Sequence, residues 1–198
     1  GAHKFKSVHP ANTHTCGLKL TGEALCWGWN GAGQLGTSST TGPQSCGGAA
    51  CSTTPVAVVG GHVFDSLDAD GLHSCGAKSN GEVFCWGSNV YGQLGDGTTT
   101  TRPSPVKVAG AVSFISVSTG ENHTCARSNA GTAYCWGRND LAELGLGSAP
   151  APQTCTHPAF STPCSKTPVA VTGGIIFASR TESGRRRATL ANGSGLRH

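Results

Sequence analysis

Apolar and polar residues alternate over short segments of this chain, and turns rich in glycine, asparagine, serine or proline separate the segments. In one predicted strand, Val83 and Cys85 point to one face, while Phe84 and Trp86 point to the other. Both faces are apolar, which indicates a sheet stacked between two other sheets. The apolar runs, such as residues 55–59, are far shorter than the ~20 residues that a membrane-spanning helix needs. We therefore expect short strands and no membrane insertion.

These segments recur as a repeat. The tripeptide Cys-Trp-Gly occurs three times, with 59 and 50 residues between successive tryptophans. A His-x-Cys sequence precedes each copy, and a glycine-rich run that ends in Leu-Gly follows it, with a weaker match in the third copy. Because each histidine recurs at the same place, it is expected to hydrogen-bond a neighbouring strand rather than to act as a general base. The repeated core positions are His14, Trp27, Gly36, His73, Trp86, Gly95, His123, Trp136 and Gly145.

Each repeat predicts one blade of a β-propeller. Four short β-type segments per unit of 50 to 60 residues are typical of a four-stranded antiparallel blade, so the fold class is all-β. The three units cover about residues 5–63, 64–113 and 114–177, within a repeat region spanning 1–177. Such an arc leaves sheet edges open, and self-association through open blade edges is therefore expected as one kind of partner contact.

The pattern His-Thr-Cys, Cys-Trp-Gly-x-Asn-x-x-Gly-Gln-Leu-Gly and Pro-Val-x-Val resembles the regulator of chromosome condensation repeat, in the cysteine-containing form typical of bacterial sequences. The resemblance implies a propeller, usually of seven blades, of which this chain would supply a part. It also implies two functional precedents. Secreted bacterial members inhibit enzymes such as β-lactamase, and the eukaryotic nuclear member exchanges guanine nucleotide on the Ran GTPase.

Composition and charge limit the class of partner. The chain has 198 residues, 30 glycines, no methionine and 12% charged residues, which argues against long helices. From residue 180 onward there are five arginines and one glutamate, so the rest of the chain holds nine basic and nine acidic side chains. We therefore expect no nucleic-acid partner. Residues 178–198 are either half of a degenerate fourth repeat or a disordered basic tail, and a nucleic-acid-binding arm is the least supported alternative.

The start of the chain shows neither an initiator methionine nor the apolar region of a signal peptide. We expect that processing or truncation removed the natural start. An orphan fragment of a longer propeller, without a function of its own, is one interpretation.

The ten cysteines fall into five local pairs. If the turn in each repeat has an odd number of residues, its two cysteines lie opposite each other, with Cα atoms ~4.5 Å apart, which permits a disulfide. A two-residue turn would instead place Trp86 opposite Cys75. The other two pairs lie in insertions that the middle repeat lacks. The predicted pairs are Cys16–Cys26, Cys75–Cys85, Cys125–Cys135, Cys46–Cys51 and Cys155–Cys164.

A metal site is the alternative use of these cysteines. Each repeat places one histidine and two cysteines on one patch, one ligand short of a closed zinc site, and reduced thiols are a further alternative. Disulfides are favoured because no fourth ligand recurs. They imply an oxidising compartment, and hence an extracytoplasmic or secreted protein.

No motif in the chain predicts catalysis. Phosphate-binding, zinc-protease and nucleophile-elbow sequences do not occur, so we expect no catalytic residue, no cofactor and no metal. Three unrepeated acids, Asp65, Asp68 and Asp70, are interpreted as a solvated strand edge rather than a cation site. The favoured function is a non-catalytic, extracytoplasmic scaffold that binds an unknown protein through its loops or rim, with enzyme inhibition as one form. A guanine-nucleotide exchange factor is the alternative.

Overall fold

The computed structural model describes residues 3–173, which form three antiparallel sheets and no helix. This confirms the all-β prediction. None of the described segments is a helix long and apolar enough to cross a membrane. The tail predicted at 178–198 lies outside the described residues.

Each sheet is one blade, and we number the blades I, II and III along the chain. Blade I has the strand order β1-β2-β3-β5-β4, blade II β6-β7-β8-β9, and blade III β10-β11-β12-β14-β13. In blade I the strands are β1 (Phe5–Pro10), β2 (His14–Lys19), β3 (Ala24–Trp29), β4 (Gln44–Cys46) and β5 (Ala49–Ala57). In blade II they are β6 (Ser66–Asp70), β7 (His73–Ala77), β8 (Val83–Gly87) and β9 (Arg102–Lys107). In blade III they are β10 (Phe114–Thr119), β11 (His123–Ser128), β12 (Ala133–Arg138), β13 (Gln153–His157) and β14 (Phe160–Ala170).

Blades I and III have a fifth strand that the repeat pattern did not predict. In both blades the insertion after the glycine-rich run folds into a hairpin, β4–β5 or β13–β14, whose second strand continues as the fourth strand of the blade. A disulfide joins the two strands of each hairpin, Cys46–Cys51 and Cys155–Cys164. The insertions are therefore ordered extensions of the blade.

The hairpin register brings the repeated cysteines together. The turn between β7 and β8 closes through Lys78 N–H to Glu82 O, which leaves three residues in the loop and sets Cys75 opposite Cys85. The same register recurs in blades I and III. The structure joins these residues in the disulfides Cys16–Cys26, Cys75–Cys85 and Cys125–Cys135, each with Cα atoms 4.1 Å apart.

The hydrophobic core lies between the blades rather than inside a single sheet. One buried cluster includes Leu18 and Leu35 from blade I with Phe64 and Trp86 from blade II. A second joins blade II to Phe114, Val117 and Trp136 of blade III in the same way. The first strands of the blades form the inner side of the arc, where β6 contacts both β1 and β10. Blades therefore pack face to face, as two apolar strand faces require.

Candidate interaction surface

A chain of hydrogen bonds joins blade I to blade II. The backbone carbonyl of Gln34 accepts a hydrogen bond from the Trp86 indole N–H at 2.9 Å and another from the Ser74 hydroxyl at 3.2 Å. The Ser74 oxygen lies 2.8 Å from His14 Nε2. Because Ser74 gives its proton to Gln34, it accepts from His14, which fixes the proton of the neutral imidazole on Nε2. A carbonyl, a hydroxyl, an indole and an imidazole thus form one inter-blade contact.

The same contact recurs between blades II and III. The Gln93 carbonyl accepts from the Trp136 indole at 2.9 Å and from the Thr124 hydroxyl at 2.8 Å. His73 Nε2 lies 2.8 Å from the Thr124 oxygen. Serine and threonine are interchangeable here because only the hydroxyl is used. The two histidines therefore bind the next blade, which is the kind of structural role that their recurrence predicts.

Two glycines make room for the tryptophans. Gly36 has a φ of 68°, and a Cβ atom there would lie 2.9 Å from Trp86 Nε1. Gly95 has a φ of 69°, and its Cβ would lie 2.7 Å from Trp136 Nε1. Any larger residue would be strained at that φ and would also displace the indole. The glycine of Leu-Gly is thus a notch for the tryptophan of the following blade.

Burial keeps both bridging histidines neutral. It lowers the pKa of His14 to about 4 and that of His73 to about 3. The Nδ1 atom of each ring is buried without a hydrogen-bond partner. Protonation would place a second N–H and a positive charge in this apolar surrounding, which costs free energy. The contact is therefore built for uncharged imidazole.

A second inter-blade cluster lies on the inner strands. His9 Nδ1 is 3.0 Å from Asp68 Oδ1, and its Nε2 is 2.9 Å from Ser7 Oγ. The other Asp68 oxygen accepts from the Thr119 N–H at 2.8 Å and from the Ser118 hydroxyl at 3.2 Å. These hydrogen bonds keep the pKa of Asp68 below its usual value although burial opposes this. The expectation of a solvated strand edge was therefore wrong for this residue, since Asp68 joins all three blades.

Sequence reasoning missed this cluster because its members differ between repeats. The available signal was register, since His9, Asp68 and Ser118 each lie opposite the first cysteine of their hairpin. Equivalent positions on neighbouring inner strands lie side by side, so an imidazole, a carboxylate and a hydroxyl at one register position can hydrogen-bond in a row.

An aromatic stack marks the side of the molecule that carries the glycine-rich loops. The Tyr91 ring, in the loop of blade II, stacks on Phe160 of the blade III hairpin with 4.8 Å between ring centroids. His157 also stacks on Phe160, with 4.9 Å between ring centroids. The Arg138 guanidinium lies 5.5 Å from the centre of the Tyr91 ring and forms a bidentate ion pair with Asp140. We call Tyr91, Arg138, Leu141, His157 and Phe160 the loop-side patch.

The loop-side patch contains the most exposed large apolar side chain on the described surface. Leu141 is 80% exposed and occupies the repeat position that Tyr91 has in blade II. The patch therefore combines aromatic rings, an arginine and an exposed leucine on loops that a disulfide-linked hairpin supports. Residues of these types dominate the binding energy of protein interfaces, although leucine less often than the others. Leu141 was not singled out from the sequence, because it lies in the weakest copy of the repeat.

No metal centre lies in the described part of the chain. Between residues 3 and 173, no three His, Cys, Asp or Glu side chains are grouped so that they could hold an ion. The ten cysteine sulfurs are joined in disulfides, which leaves no thiolate for a zinc site.

Comparison with known proteins connects these repeats to a family. The sequence profile described as "Regulator of chromosome condensation (RCC1) repeat" matches residues 80–127, and a second profile with the same description matches residues 12–34 and 114–141. The chain contains RCC1 repeats. Human and rat "Probable E3 ubiquitin-protein ligase HERC4" are each 34% identical to it over 84 residues, which is 41% of this chain and 7% of theirs. This chain thus spans only a small part of those relatives.

Solved structures show the same RCC1 propeller fold. Prp20p from Saccharomyces cerevisiae matches 88% of this chain and 40% of its own, with a TM-score of 0.67 and 22% identity. Human WBSCR16 matches 87% of this chain and 39% of its own, with a TM-score of 0.66 and 20% identity. The three blades correspond to an arc of such a propeller.

The remaining predicted core residues of the RCC1 repeats lie on the outward faces of the arc. Trp27, in blade I, is half-buried and touches the ring of Phe5. His123, in blade III, is also half-buried. At Gly145 a Cβ would meet Val171 at 3.0 Å, with no indole nearby among the described residues. Within residues 3–173, these three positions therefore lack the neighbour that Trp86, His73 and Gly95 have.

Proposed function

We propose that this segment of RCC1 propeller is a non-catalytic scaffold outside the cytoplasm, and that it binds a protein partner through the loop-side patch. The observation that carries the proposal is the stacking of both Tyr91 and His157 on Phe160, on the loop-bearing side of the molecule where Leu141 is exposed. RCC1-type propellers are a protein-interaction fold. Prp20p from yeast binds Gsp1p and histones, and Kap60 binds yeast RCC1, which is Prp20.

Rigidity supports a binding role. Each blade is held by a disulfide across its central hairpin, and the hairpin that contains Phe160 has a disulfide of its own. Rings fixed in this way lose little conformational entropy when a partner binds, so more of the contact energy becomes affinity. Five disulfides also suit an oxidising compartment. This favours a role outside the cytoplasm over one in the nucleus.

The experiment uses the whole chain, immobilised, with extracellular proteins of the source culture applied to it. Leu141→Asp places a charge on the blade III loop of the loop-side patch. Leu20→Asp is the matched control, since Leu20 is 67% exposed but lies in the turn between β2 and β3, away from the glycine-rich loops. We expect a partner that binds the wild type and the Leu20 variant and is lost with the Leu141 variant. Equal capture by all three chains would contradict the proposal.

Nucleotide exchange is a second candidate, which rests on the fold shared with Prp20p and on the binding of Prp20p to Gsp1p. At 22% identity the likeness carries no residue roles to this chain. The test is release of a fluorescent guanine nucleotide from a small GTPase of the Ran type with and without the chain. Acceleration would favour exchange over a passive scaffold, and we expect none.

The non-catalytic part of the proposal has its own test at the inner strands. Ser7, His9 and Asp68 are hydrogen-bonded in the order of a serine nucleophile, its base and an orienting acid. We assign them a structural role, because Asp68 is also bound by Thr119 of blade III. A fluorophosphonate probe should therefore leave the mass of the chain unchanged. Covalent labelling of Ser7, but not of the equivalent Ser66, would show that the assignment is wrong.

A further inference from the structure

Each inter-blade contact has two complementary halves. The earlier blade supplies what we call the notch half: an imidazole, a loop carbonyl and a glycine, as in His73, Gln93 and Gly95. The later blade supplies the Trp half, a hydroxyl and an indole, as in Thr124 and Trp136. Since the contact occurs twice with the same geometry, one half is a reliable guide to the chemistry of the other.

Blade I carries a Trp half on its outward face. Thr15 lies opposite Trp27 in the register of β2 and β3, just as Ser74 lies opposite Trp86 in β7 and β8. The hydroxyl and the indole therefore have the spacing that the Gln34 carbonyl meets at the next interface. Trp86 is fully buried, whereas Trp27 is only half-buried.

Blade III carries a notch half on its outward face. Gly145 has a φ of 63°, close to the 68° of Gly36, and the N–H of Leu144 is held by Asn139 at 3.0 Å, as Leu35 is by Asn30. Glu143 replaces glutamine, but the contact uses only the backbone carbonyl, so the replacement does not alter the half. His123 supplies the imidazole.

We propose that these outward halves bind each other between two copies of this chain, so that blade III of one copy packs on blade I of the next. The contact is head-to-tail, because the two surfaces differ, and two copies could satisfy both pairs of halves in a ring. The His123 Nε2–H would donate to Thr15, while the Glu143 carbonyl would accept from Trp27 and Thr15. The notch half shares its loop with Leu141 of the loop-side patch, whereas the Trp half on blade I shares no residue with that patch, so Trp27→Ala separates this proposal from the proposed function.

Sedimentation velocity on two half-blocked variants tests the proposal. Trp27→Ala removes the indole from the Trp half, and His123→Lys places an unpaired charge in the notch half. We expect the wild type to associate above its monomer mass of 20.0 kDa, and each variant alone to bind itself at least about 30-fold more weakly. An equimolar mixture should restore pairing, limited to two chains, because each variant keeps the half that the other has lost.

The mixture also controls for folding, since a misfolded variant could not rescue its partner. Leu20→Asp is the matched control that should associate like the wild type, because Leu20 is exposed in the turn between β2 and β3 and belongs to neither half. If a variant fails to fold, as near-UV circular dichroism would report, a mixture of ¹⁴N- and ¹⁵N-labelled wild type is cross-linked instead. Intermolecular links should then join blade I to blade III.

Three results would overturn the proposal. They are a wild type that stays monomeric up to about 100 μM, cross-links that join blade I to blade I or blade III to blade III, and association that survives in both variants. A monomeric wild type would leave another RCC1-type blade as the occupant of these faces.

Discussion

Blade II and its two neighbours carry the same motif in different surroundings. Trp86 and His73 of blade II are fully buried, whereas Trp27 of blade I and His123 of blade III are half-buried. The residue types are the same, so the difference comes from the neighbouring blade alone. A repeat motif of this kind describes half of an interface, and its contribution to stability depends on what lies across from it.

The largest expected effect on stability is the difference between replacing Trp86 and replacing Trp27. Trp86→Ala should lower the free energy of unfolding by about 3–5 kcal/mol, because a buried ring and its hydrogen bond to Gln34 are lost. Trp27→Ala should cost less than half as much in the monomer, because its ring is already partly in water. Urea unfolding of the two variants measures both. Equal losses in the two variants would mean that packing against a neighbouring blade does not determine how much the tryptophan contributes to stability.

Acid should weaken the contact through its histidines. Their pKa values are about 4 for His14 and about 3 for His73 in the folded state, below the ordinary 6.5, so the unfolded state binds more protons as pH falls. Stability is therefore full above pH 6.5 and is lost below it, by about 2–3 kcal/mol per pH unit while both groups differ. His73→Gln, which keeps an N–H for Thr124, should reduce this slope by about half. An unchanged slope would contradict the assignment.

The disulfide at the centre of a blade should contribute more to the free energy of unfolding than the disulfide in an insertion. Replacing Cys75 and Cys85 by alanine should cost about 3–4 kcal/mol, from a closed loop of ten residues and from the packing of two buried sulfurs. Replacing Cys46 and Cys51 should cost about 2 kcal/mol, because that loop has five residues. Thermal unfolding of the two double variants tests this order, and its reversal would argue against it.

The smallest expected effect concerns the inner strands. Asp68→Ala should cost about 1–3 kcal/mol, because the Thr119 N–H and the His9 ring lose their acceptor. Asp65→Ala is the matched control on the same blade, and its exposed carboxylate should matter by less than about 0.5 kcal/mol. Chemical unfolding at neutral pH compares them. Similar losses of unfolding free energy in both variants would show that the inner cluster does not help to join the blades.

The sequence predicted the features that all three blades share, but it could not predict those that differ between blades. Recurrence of His14, Trp86 and their equivalents indicated blades with two apolar faces, and the spacing of cysteines at an odd turn indicated the hairpin pairs. The fifth strands were not predicted, because an insertion present in two copies of three has no periodic pattern to read. The hairpin β13–β14 of blade III places Phe160 against Tyr91.

The inner cluster and the loop-side patch could not be predicted for a different physical reason. His9 and Asp68 come from equivalent positions but unlike residues, and they meet only because β1 and β6 lie side by side. Leu141 is exposed because, among residues 3–173, no hairpin of a following blade covers it as Phe160 covers Tyr91. Contacts between different repeats depend on blade packing, which one repeat read alone does not contain.

The central claim is that uncharged imidazoles bridge adjacent blades through a serine or threonine hydroxyl. Imidazole ¹⁵N NMR spectra at pH 5 test this most directly, because they report which ring nitrogen carries the proton. His14 and His73 should each show a protonated Nε2 and an unprotonated Nδ1 at that pH. Protonation of both nitrogens in either ring would contradict the claim.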